Sequence, residues 1–229
     1  MIDYLVLETG SKGNAVIINR KVMIDCGVPF REVEPHLKGL QLILLTHIHG
    51  DHFRISTIQR IARERPMVRF GGCEWLIRPL MDAGVPAWRI DAYKTGYRYD
   101  YKIATVEPVP LVHDVPNCGY KLYLPGGNMI YATDTKNLNG IDAKNFDLFM
   151  IEANYEDQEI RQRINDKKAD GAFIYEKRVL DTHLSKAQAD DFIYRNLGPM
   201  SEIVYLHGHR ERTDTDDREA EGDSSGEKR

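Results

Sequence analysis

A short apolar run that leads directly into a cluster of histidines and an aspartate is the feature that most constrains this chain. Residues 42–45 are all leucine or isoleucine, a run that is too short for a full helix and is typical of a buried strand. Of the six residues after Thr46, four are good metal ligands, namely His47, His49, Asp51 and His52. Packing gives no reason for three of the eight histidines to fall within six positions. The pattern predicts a metal site at the end of a strand.

The spacing of these ligands suits two metal ions. His47 and His49 can present two imidazoles to one ion, while Asp51 and His52 can present a carboxylate and an imidazole to a second. Gly50 lets the chain turn tightly between the two pairs. An isolated histidine is more often a solvated or hydrogen-bonded side chain, but that explanation is poor for a cluster of this density. We therefore interpret the stretch as a dinuclear metal site.

The stretch also resembles a known family. Residues 47–52 match the HxHxDH signature of the metallo-β-lactamase-fold hydrolases. The likeness is closest to the small YycJ/WalJ-type exonucleases and more distant to ribonuclease Z. It rests on the HxHxDH loop and on residues 9–14, 24–27, 113–114, 132–135, 151–155 and 183–185. The resemblance implies an α/β fold, a four-layer αβ/βα sandwich that forms a single domain.

The same resemblance implies the remaining metal ligands. His113 would be the third ligand of the first metal, and Asp134 would bridge the two metals. His207 would complete the second site. His209 is the competitor, because the family tends to have a serine two residues after its last histidine and this chain has His209 at that position. The predicted ligands of two divalent cations, zinc or manganese, are His47, His49, Asp51, His52, His113, Asp134 and His207.

A helix start near residue 185 points to a further catalytic residue. Ser185 and Gln188 form a capping-box pattern, which places the free amides and positive end of a helix beside His183. A phosphate oxygen suits this position. The alternative is a helix cap with a neighbouring histidine, but the resemblance implies that His183 assists the departing oxygen. The predicted catalytic residues are Asp51, which would orient the nucleophile, together with Asp134 and His183.

The substrate expected from this set is a nucleic acid or a nucleotide. In the family, the bridging aspartate is typical of phosphodiesterases and thioester hydrolases rather than of lactam-cleaving enzymes. We expect an exonuclease-like phosphodiesterase, with a thioester or acyl hydrolase and a cyclic-nucleotide phosphodiesterase as alternatives. A binding protein without catalysis would have little reason to keep both metals' ligands.

Two segments are candidates for substrate contact. One is the loop 9–14, which a plain hairpin explains as well. The other holds basic residues that a solvated helix pair explains as well, namely Arg161, Arg163, Lys167, Lys168, Lys177 and Arg178.

Composition predicts one domain and an acidic tail. The 229 residues are 42% hydrophobic, enough for one sizeable core, which we assign to residues 1–210. Residues 211–229 hold eight acidic and four basic residues, account for the net charge of −4, and are expected to be disordered. There is no secretory signal pattern and no apolar run of membrane-spanning length. Three scattered cysteines favour a reducing compartment, so we expect a cytoplasmic protein.

Periodicity predicts alternating strands and helices. The expected strands cover residues 4–7, 15–18, 21–24, 42–45, 68–70, 109–112, 120–124, 129–132 and 203–206. The expected helices begin near Pro29, cover residues 55–62 and 74–83, and begin again at Ser185. The tyrosines at 97, 99 and 101 alternate with charged residues, which favours a half-buried sheet face over a base-stacking stripe.

Overall fold

The computed structural model describes residues 1–208. Its amino-terminal half is a six-stranded sheet with the spatial order β1-β2-β3-β4-β5-β6, antiparallel from β1 to β3 and parallel from β3 to β6. The strands are β1 (Tyr4–Glu8), β2 (Ala15–Ile18), β3 (Val22–Ile24), β4 (Leu42–Leu44), β5 (Arg69–Cys73) and β6 (Ile90–Tyr93). The helices of this half are α1 (Phe30–Val33), α2 (Ile55–Glu64) and α3 (Glu74–Asp82).

The second half forms another six-stranded sheet, with the order β12-β11-β10-β9-β8-β7. Strands β7 to β10 are antiparallel, whereas β10, β11 and β12 are parallel. The strands are β7 (Tyr99–Asp100), β8 (Thr105–Leu111), β9 (Asn117–Leu124), β10 (Gly127–Ala132), β11 (Phe146–Glu152) and β12 (Leu197–Leu206). The helices are α4 (Asp157–Ala169), α5 (Glu176–Thr182) and α6 (Lys186–Asn196).

Three apolar layers hold the two sheets and the helices together. Between the sheets, side chains such as Val16 and Ile24 pack in one cluster with Tyr120 and Met129. On the outer face of the first sheet, buried residues of α1, α2 and α3 form a second cluster, and on the outer face of the second sheet α6 contributes to a third. The predicted αβ/βα sandwich is confirmed.

The buried strands show why the apolar runs were informative. Every residue of β2, β3 and β4 is buried, as expected for strands that are covered on both faces. Strand β5 extends beyond the predicted 68–70 to Cys73. The prediction stopped early because Gly71 and Gly72 have low strand propensity. A Cβ at Gly71 would collide with the ring of Tyr93 on the neighbouring strand, so close packing accounts for the glycine.

Two further predictions are refined by the structure. Of the three tyrosines predicted to form a sheet face, only Tyr99 lies in a strand, where β7 pairs with β8 through Tyr99 and Val106. Tyr97 precedes β7 and is exposed, and Tyr101 follows it, so this part of the prediction was too long. The capping box is present, since Ser185 Oγ accepts a hydrogen bond from Gln188 N and the Gln188 side chain accepts one from Ser185 N. His209 and the predicted tail 211–229 lie outside the described residues. No helix within residues 1–208 combines the length and the apolar character needed to cross a bilayer.

Candidate metal centre

Five strand ends meet at one edge of the sandwich and supply most of the site. Strand β3 is followed by Asp25, β4 by the loop that carries residues 46–52, β10 by Asp134, and β12 by His207, while β11 ends on Glu152. Because the parallel strands of each sheet end on the same side, side chains far apart in the sequence come together here. The short loop between β8 and β9, residues 112–116, adds His113 to the same edge.

Three histidines form the first candidate ligand group. Each of His47, His49 and His113 offers one ring nitrogen, and these atoms lie within 4.8 Å of one another. His113 Nε2 is 3.3 Å from His49 Nδ1. The other nitrogen of His113, Nδ1, donates to the carbonyl of Thr182 at 3.0 Å, which leaves Nε2 free to face a metal.

The second candidate group lies beside the first. Asp51, His52 and His207 again offer ligand atoms within 4.8 Å of one another. Asp134 sits between the groups, since its Oδ2 is 2.5 Å from His52 Nε2 and 3.7 Å from His47 Nε2 while its Oδ1 is 3.3 Å from His207 Nε2. All seven predicted ligands are therefore brought together, and Asp134 has the central position expected of a bridging ligand.

The polar atoms at the centre show that this donor set fits metal ions. His47 Nε2, His207 Nε2 and Asp134 Oδ1 are buried and have no hydrogen-bond partner among the described residues. A buried polar atom without a partner costs on the order of 1–3 kcal/mol, so three of them facing one space require another explanation. Imidazole nitrogens and a carboxylate oxygen are the ligands that zinc prefers, and a bound cation would satisfy all three.

Charges in the site also favour a bound cation. Burial and the nearby His52 ring lower the pKa of His47 to about 2, so His47 is neutral and able to coordinate a metal. Burial alone would raise the pKa of Asp134, but the His52 and His207 rings hold it well below its usual range. Burial opposes a charge on His52, yet Asp134 and Asp25 raise its pKa well above the usual value, so a metal ion would replace a proton there.

Asp25 is a buried carboxylate that our sequence analysis did not assign to the site. Its Oδ2 accepts a hydrogen bond from His52 Nδ1 at 2.7 Å and one from the Tyr131 hydroxyl at 3.1 Å. Its Oδ1 accepts from Thr46 N at 3.0 Å and from Thr46 Oγ1 at 2.9 Å. Asp25 thus fixes the His52 ring so that Nε2 faces the centre, and it orders the start of the histidine loop.

Glu152 is a second carboxylate that the sequence analysis missed. Its Oε1 is 2.5 Å from His183 Nδ1, and its Oε2 accepts from the amides of Thr135 at 3.0 Å and Leu184 at 3.3 Å. Glu152 therefore ties His183 to the strand end that carries Asp134. Both carboxylates did have a sequence signal, because each stands at the end of an apolar strand, as Asp134 does.

His183 is held among acidic groups at the edge of the centre. Its Nδ1 lies 3.2 Å from Asp134 Oδ1 in addition to its contact with Glu152. Burial disfavours its charged form, but the negative charges of Asp134 and Glu152 beside Nδ1 outweigh burial and raise its pKa to about 10. His183 is accordingly protonated at neutral pH, with Nδ1 engaged and Nε2 left for a substrate.

Three residues of the centre have a strained backbone. Asp25, Asp134 and His207 have φ values of 61°, 55° and 53°, in the left-handed region that few non-glycine residues adopt. Such strain persists only where the surroundings fix the conformation, and it concentrates at functional sites. The turns aim each of these side chains from its strand end into the centre.

An open pocket of about 240 Å³ leads to these residues. Its walls include His49, Asp51, His113, Asp134, His183 and His207, together with Ser11, Tyr175, Arg178, Val179 and Thr182. The predicted basic segment therefore reaches the pocket through Arg178, whereas Lys167 pairs with the buried Glu176 at 2.6 Å.

The glycine-containing loop 9–14 has a structural role next to the pocket. The amide of Gly10 donates to the Asn14 side chain, that of Gly13 to the Gly10 carbonyl, and that of Asn14 to the Asp51 carbonyl. These three amides are engaged within the protein, as expected for the hairpin connection between β1 and β2, while Ser11 of the same loop lines the pocket. The Asn14 side chain also lies 2.8 Å from His52 Nε2, so the loop supports the metal centre.

Comparisons with known proteins agree with this geometry. A family model described as a β-lactamase superfamily domain matches residues 20–194. Exodeoxyribonuclease WalJ of Streptococcus pneumoniae is 24% identical over 229 residues, covering 90% of this chain and 80% of the relative. Ribonuclease Z of Parabacteroides distasonis is 31% identical over 116 residues, covering 43% of this chain and 38% of the relative.

A solved structure shows the same fold. The metallo-β-lactamase fold protein YhfI from Bacillus subtilis has a TM-score of 0.72 at 14% identity, covering 95% of this chain and 90% of that chain. The family match spans well over half of the sequence and includes the HxHxDH loop, His113, Asp134 and His183. This chain therefore belongs to the β-lactamase superfamily, with the metallo-β-lactamase fold that its sequence predicts.

Proposed function

We propose that this protein is a metal-dependent phosphodiesterase that hydrolyses nucleic acid in the manner of an exonuclease. The observation that carries the proposal is the position of His183, which faces the pocket beside Asp134 and is fixed by Glu152. Relatives named as an exodeoxyribonuclease and as ribonuclease Z support the same substrate class.

The two ligand groups would hold two divalent cations. The first would be bound by His47, His49 and His113, and the second by Asp51, His52 and His207, with Asp134 between them. Such cations supply an activated water at neutral pH and neutralise the charge that develops on a phosphodiester. The three buried polar atoms without partners are the observation that supports this assignment.

Asp51 would orient the attacking water. It lines the pocket, and its Oδ2 lies 3.8 Å from His207 Nε2 and 3.7 Å from His52 Nε2. Burial raises the pKa of the Asp51 carboxyl, but the His207 and His52 rings outweigh burial and lower it. The carboxylate is therefore ionised and can accept a hydrogen bond from water.

His183 would donate a proton to the departing oxygen. His183 Nδ1 donates a hydrogen bond to Glu152, which fixes the ring, so Nε2 is the atom that can reach a substrate in the pocket. The amino terminus of α6 begins at Lys186, close to the same point, and its dipole favours a nearby phosphate. Proton donation lets the departing oxygen leave as a neutral hydroxyl rather than as an alkoxide, which makes the break of the P–O bond easier.

Two variants separate metal binding from proton transfer. Asp134→Asn is expected to lose bound metal and oligonucleotide hydrolysis together, because the central carboxylate is removed. His183→Ala is expected to keep its metal content while kcat falls by about 10²–10⁴-fold, the usual contribution of a general acid. Metal content is measured by atomic absorption and hydrolysis with a labelled single-stranded oligonucleotide. His36→Ala, a histidine outside the site, is the matched control and should match the wild type.

The role of His183 would be refuted if His183→Ala hydrolysed the oligonucleotide at full speed. Loss of metal in that variant would instead assign His183 to the metal-binding groups. Asp134→Asn that retained both metal and activity would refute the assignment of the central carboxylate.

A further inference from the structure

One wall of the pocket is formed by α5 and the residue before it. Tyr175, Arg178, Val179 and Thr182 all line the pocket together with the metal-binding side chains. None of these four residues belongs to the two candidate ligand groups. This wall, which we call the α5 wall, is therefore available to contact the part of a substrate that lies next to the reacting group.

The α5 wall carries a fixed positive charge. Among the described residues that line the pocket, Arg178 is the one with a permanently cationic side chain, and Asp51 and Asp134 face the metal centre. A nucleic acid strand has an anionic phosphate on each side of the bond that is cleaved. An arginine guanidinium is well suited to such a group, because it can donate two parallel hydrogen bonds to one phosphate.

Arg178 is held in position by Asp114. The two side chains form a close ion pair across 64 residues of sequence, although the Arg178 side chain is 70% exposed. Asp114 Oδ1 in turn lies 3.1 Å from His113 Nε2 and 3.5 Å from His49 Nε2. The guanidinium is thus fixed beside the first ligand group. An exposed ion pair adds only about 0–1 kcal/mol of stability, so stability does not explain its presence.

An aromatic ring lies beside this charge. Tyr175 lines the same wall and is 43% exposed, which is high for a large aromatic side chain. Lys167 Nζ lies 4.0 Å from the centre of the Tyr175 ring and is itself held by Glu176 at 2.6 Å. A fixed, exposed ring next to an arginine is the combination that binds a nucleobase and its phosphate in single-stranded nucleic acid.

We infer that Arg178 binds the phosphate adjacent to the scissile one and that Tyr175 stacks on the neighbouring nucleobase. The α5 wall is then a substrate-reading surface that favours a polynucleotide strand over a small phosphodiester. This inference rests on the proposed nuclease function and names the residues that determine its substrate length.

The test compares a long and a short substrate. In Arg178→Ala the KM for a labelled single-stranded oligonucleotide is expected to rise about 10-fold, since a charge-assisted pair of hydrogen bonds is lost, while kcat changes little. The kcat/KM for bis(4-nitrophenyl) phosphate, which has no adjacent phosphate, should fall far less than that for the oligonucleotide. Arg178→Lys should restore part of the affinity. Lys144→Ala, an exposed lysine that lies outside both the pocket lining and the basic segment, is the control and should leave both substrates unaffected.

Two further measurements address the charge and the ring separately. The slope of log KM for the oligonucleotide against log salt concentration should be smaller by about 0.7 in Arg178→Ala than in the wild type, the value for one phosphate contact to a single strand. Tyr175→Ala should raise the oligonucleotide KM about 10-fold, whereas Tyr175→Phe, which keeps the ring, should not.

The outcomes distinguish this inference from the proposed function. A wild-type protein that cleaves the oligonucleotide, together with an Arg178→Ala variant of unchanged KM and salt slope, would overturn the role of the α5 wall and leave the nuclease function standing. An equal loss with both substrates would also overturn it, because Arg178 would then act on the reacting group. A wild-type protein that cleaves no oligonucleotide would overturn both.

Discussion

Asp25→Asn is expected to weaken metal binding although Asp25 is not one of the proposed ligands. Asp25 is fully buried, and its two oxygens accept four hydrogen bonds, two from Thr46 and one each from His52 and Tyr131. Asparagine has a single acceptor oxygen, so its NH2 group must face one of the two pairs of donors. The variant keeps the shape of the side chain, and asparagine tolerates the positive φ of this position, so the backbone is not the cause of any effect.

Either orientation of the new amide has a cost. If the NH2 group faces His52, Nδ1 must give up its proton and Nε2 must carry it, which removes a lone pair from the metal centre. If it faces Thr46, a buried backbone N–H loses its acceptor, at about 1–3 kcal/mol. Loss of such a supporting carboxylate typically weakens metal affinity about 10–100-fold.

The assay is competition for zinc with a chromogenic chelator, accompanied by urea unfolding of the metal-free protein. Asp25→Asn should bind metal about 10–100-fold more weakly than the wild type and unfold at lower urea. Tyr131→Phe is the control, since it removes one of the four donors but leaves the carboxylate and its bond to His52, so metal affinity should be retained. Wild-type metal affinity in Asp25→Asn would refute the view that this carboxylate sets the His52 ring.

Two other side chains give predictions of different kinds. Glu152→Gln should lower kcat about 100-fold with metal content retained, because His183 loses the carboxylate that orients it; full kcat in this variant would contradict the assignment. Ser185→Ala should destabilise the protein by about 1 kcal/mol in urea unfolding, since the cap of α6 is lost. Ser56→Ala, an exposed serine within α2, should have little effect, and equal stabilities of the two variants would argue against the capping contribution.

The fold and the ligand set were largely predictable because their signals are local. Continuous apolar runs marked the buried strands, and the dense ligand pattern of residues 47–52 followed one of them. His113, Asp134 and His207 came from the family resemblance, and the structure places all three beside the histidine loop. Each of these residues follows a strand, and the ends of these strands lie at the same edge of the sheet, so the place of each side chain follows from its place in the sequence.

The supporting residues were harder to predict because their partners are distant in sequence. Asp25 and Glu152 end apolar strands in the same way as Asp134, but a sequence does not show that they would face His52 and His183. The pairing of Arg178 with Asp114 crosses 64 residues and depends on how α5 packs over the pocket. Among six basic residues in that segment, no local pattern marked Arg178.

The central claim is that the metal centre cleaves phosphodiester bonds in nucleic acid. The most direct measurement compares metal-loaded wild type and Asp134→Asn on a labelled single-stranded oligonucleotide and on a glutathione thioester. The account predicts that the wild type shortens the oligonucleotide, that Asp134→Asn does not, and that the thioester stays intact with both. Thioester turnover by the wild type with an intact oligonucleotide would contradict the account and assign the site to acyl hydrolysis.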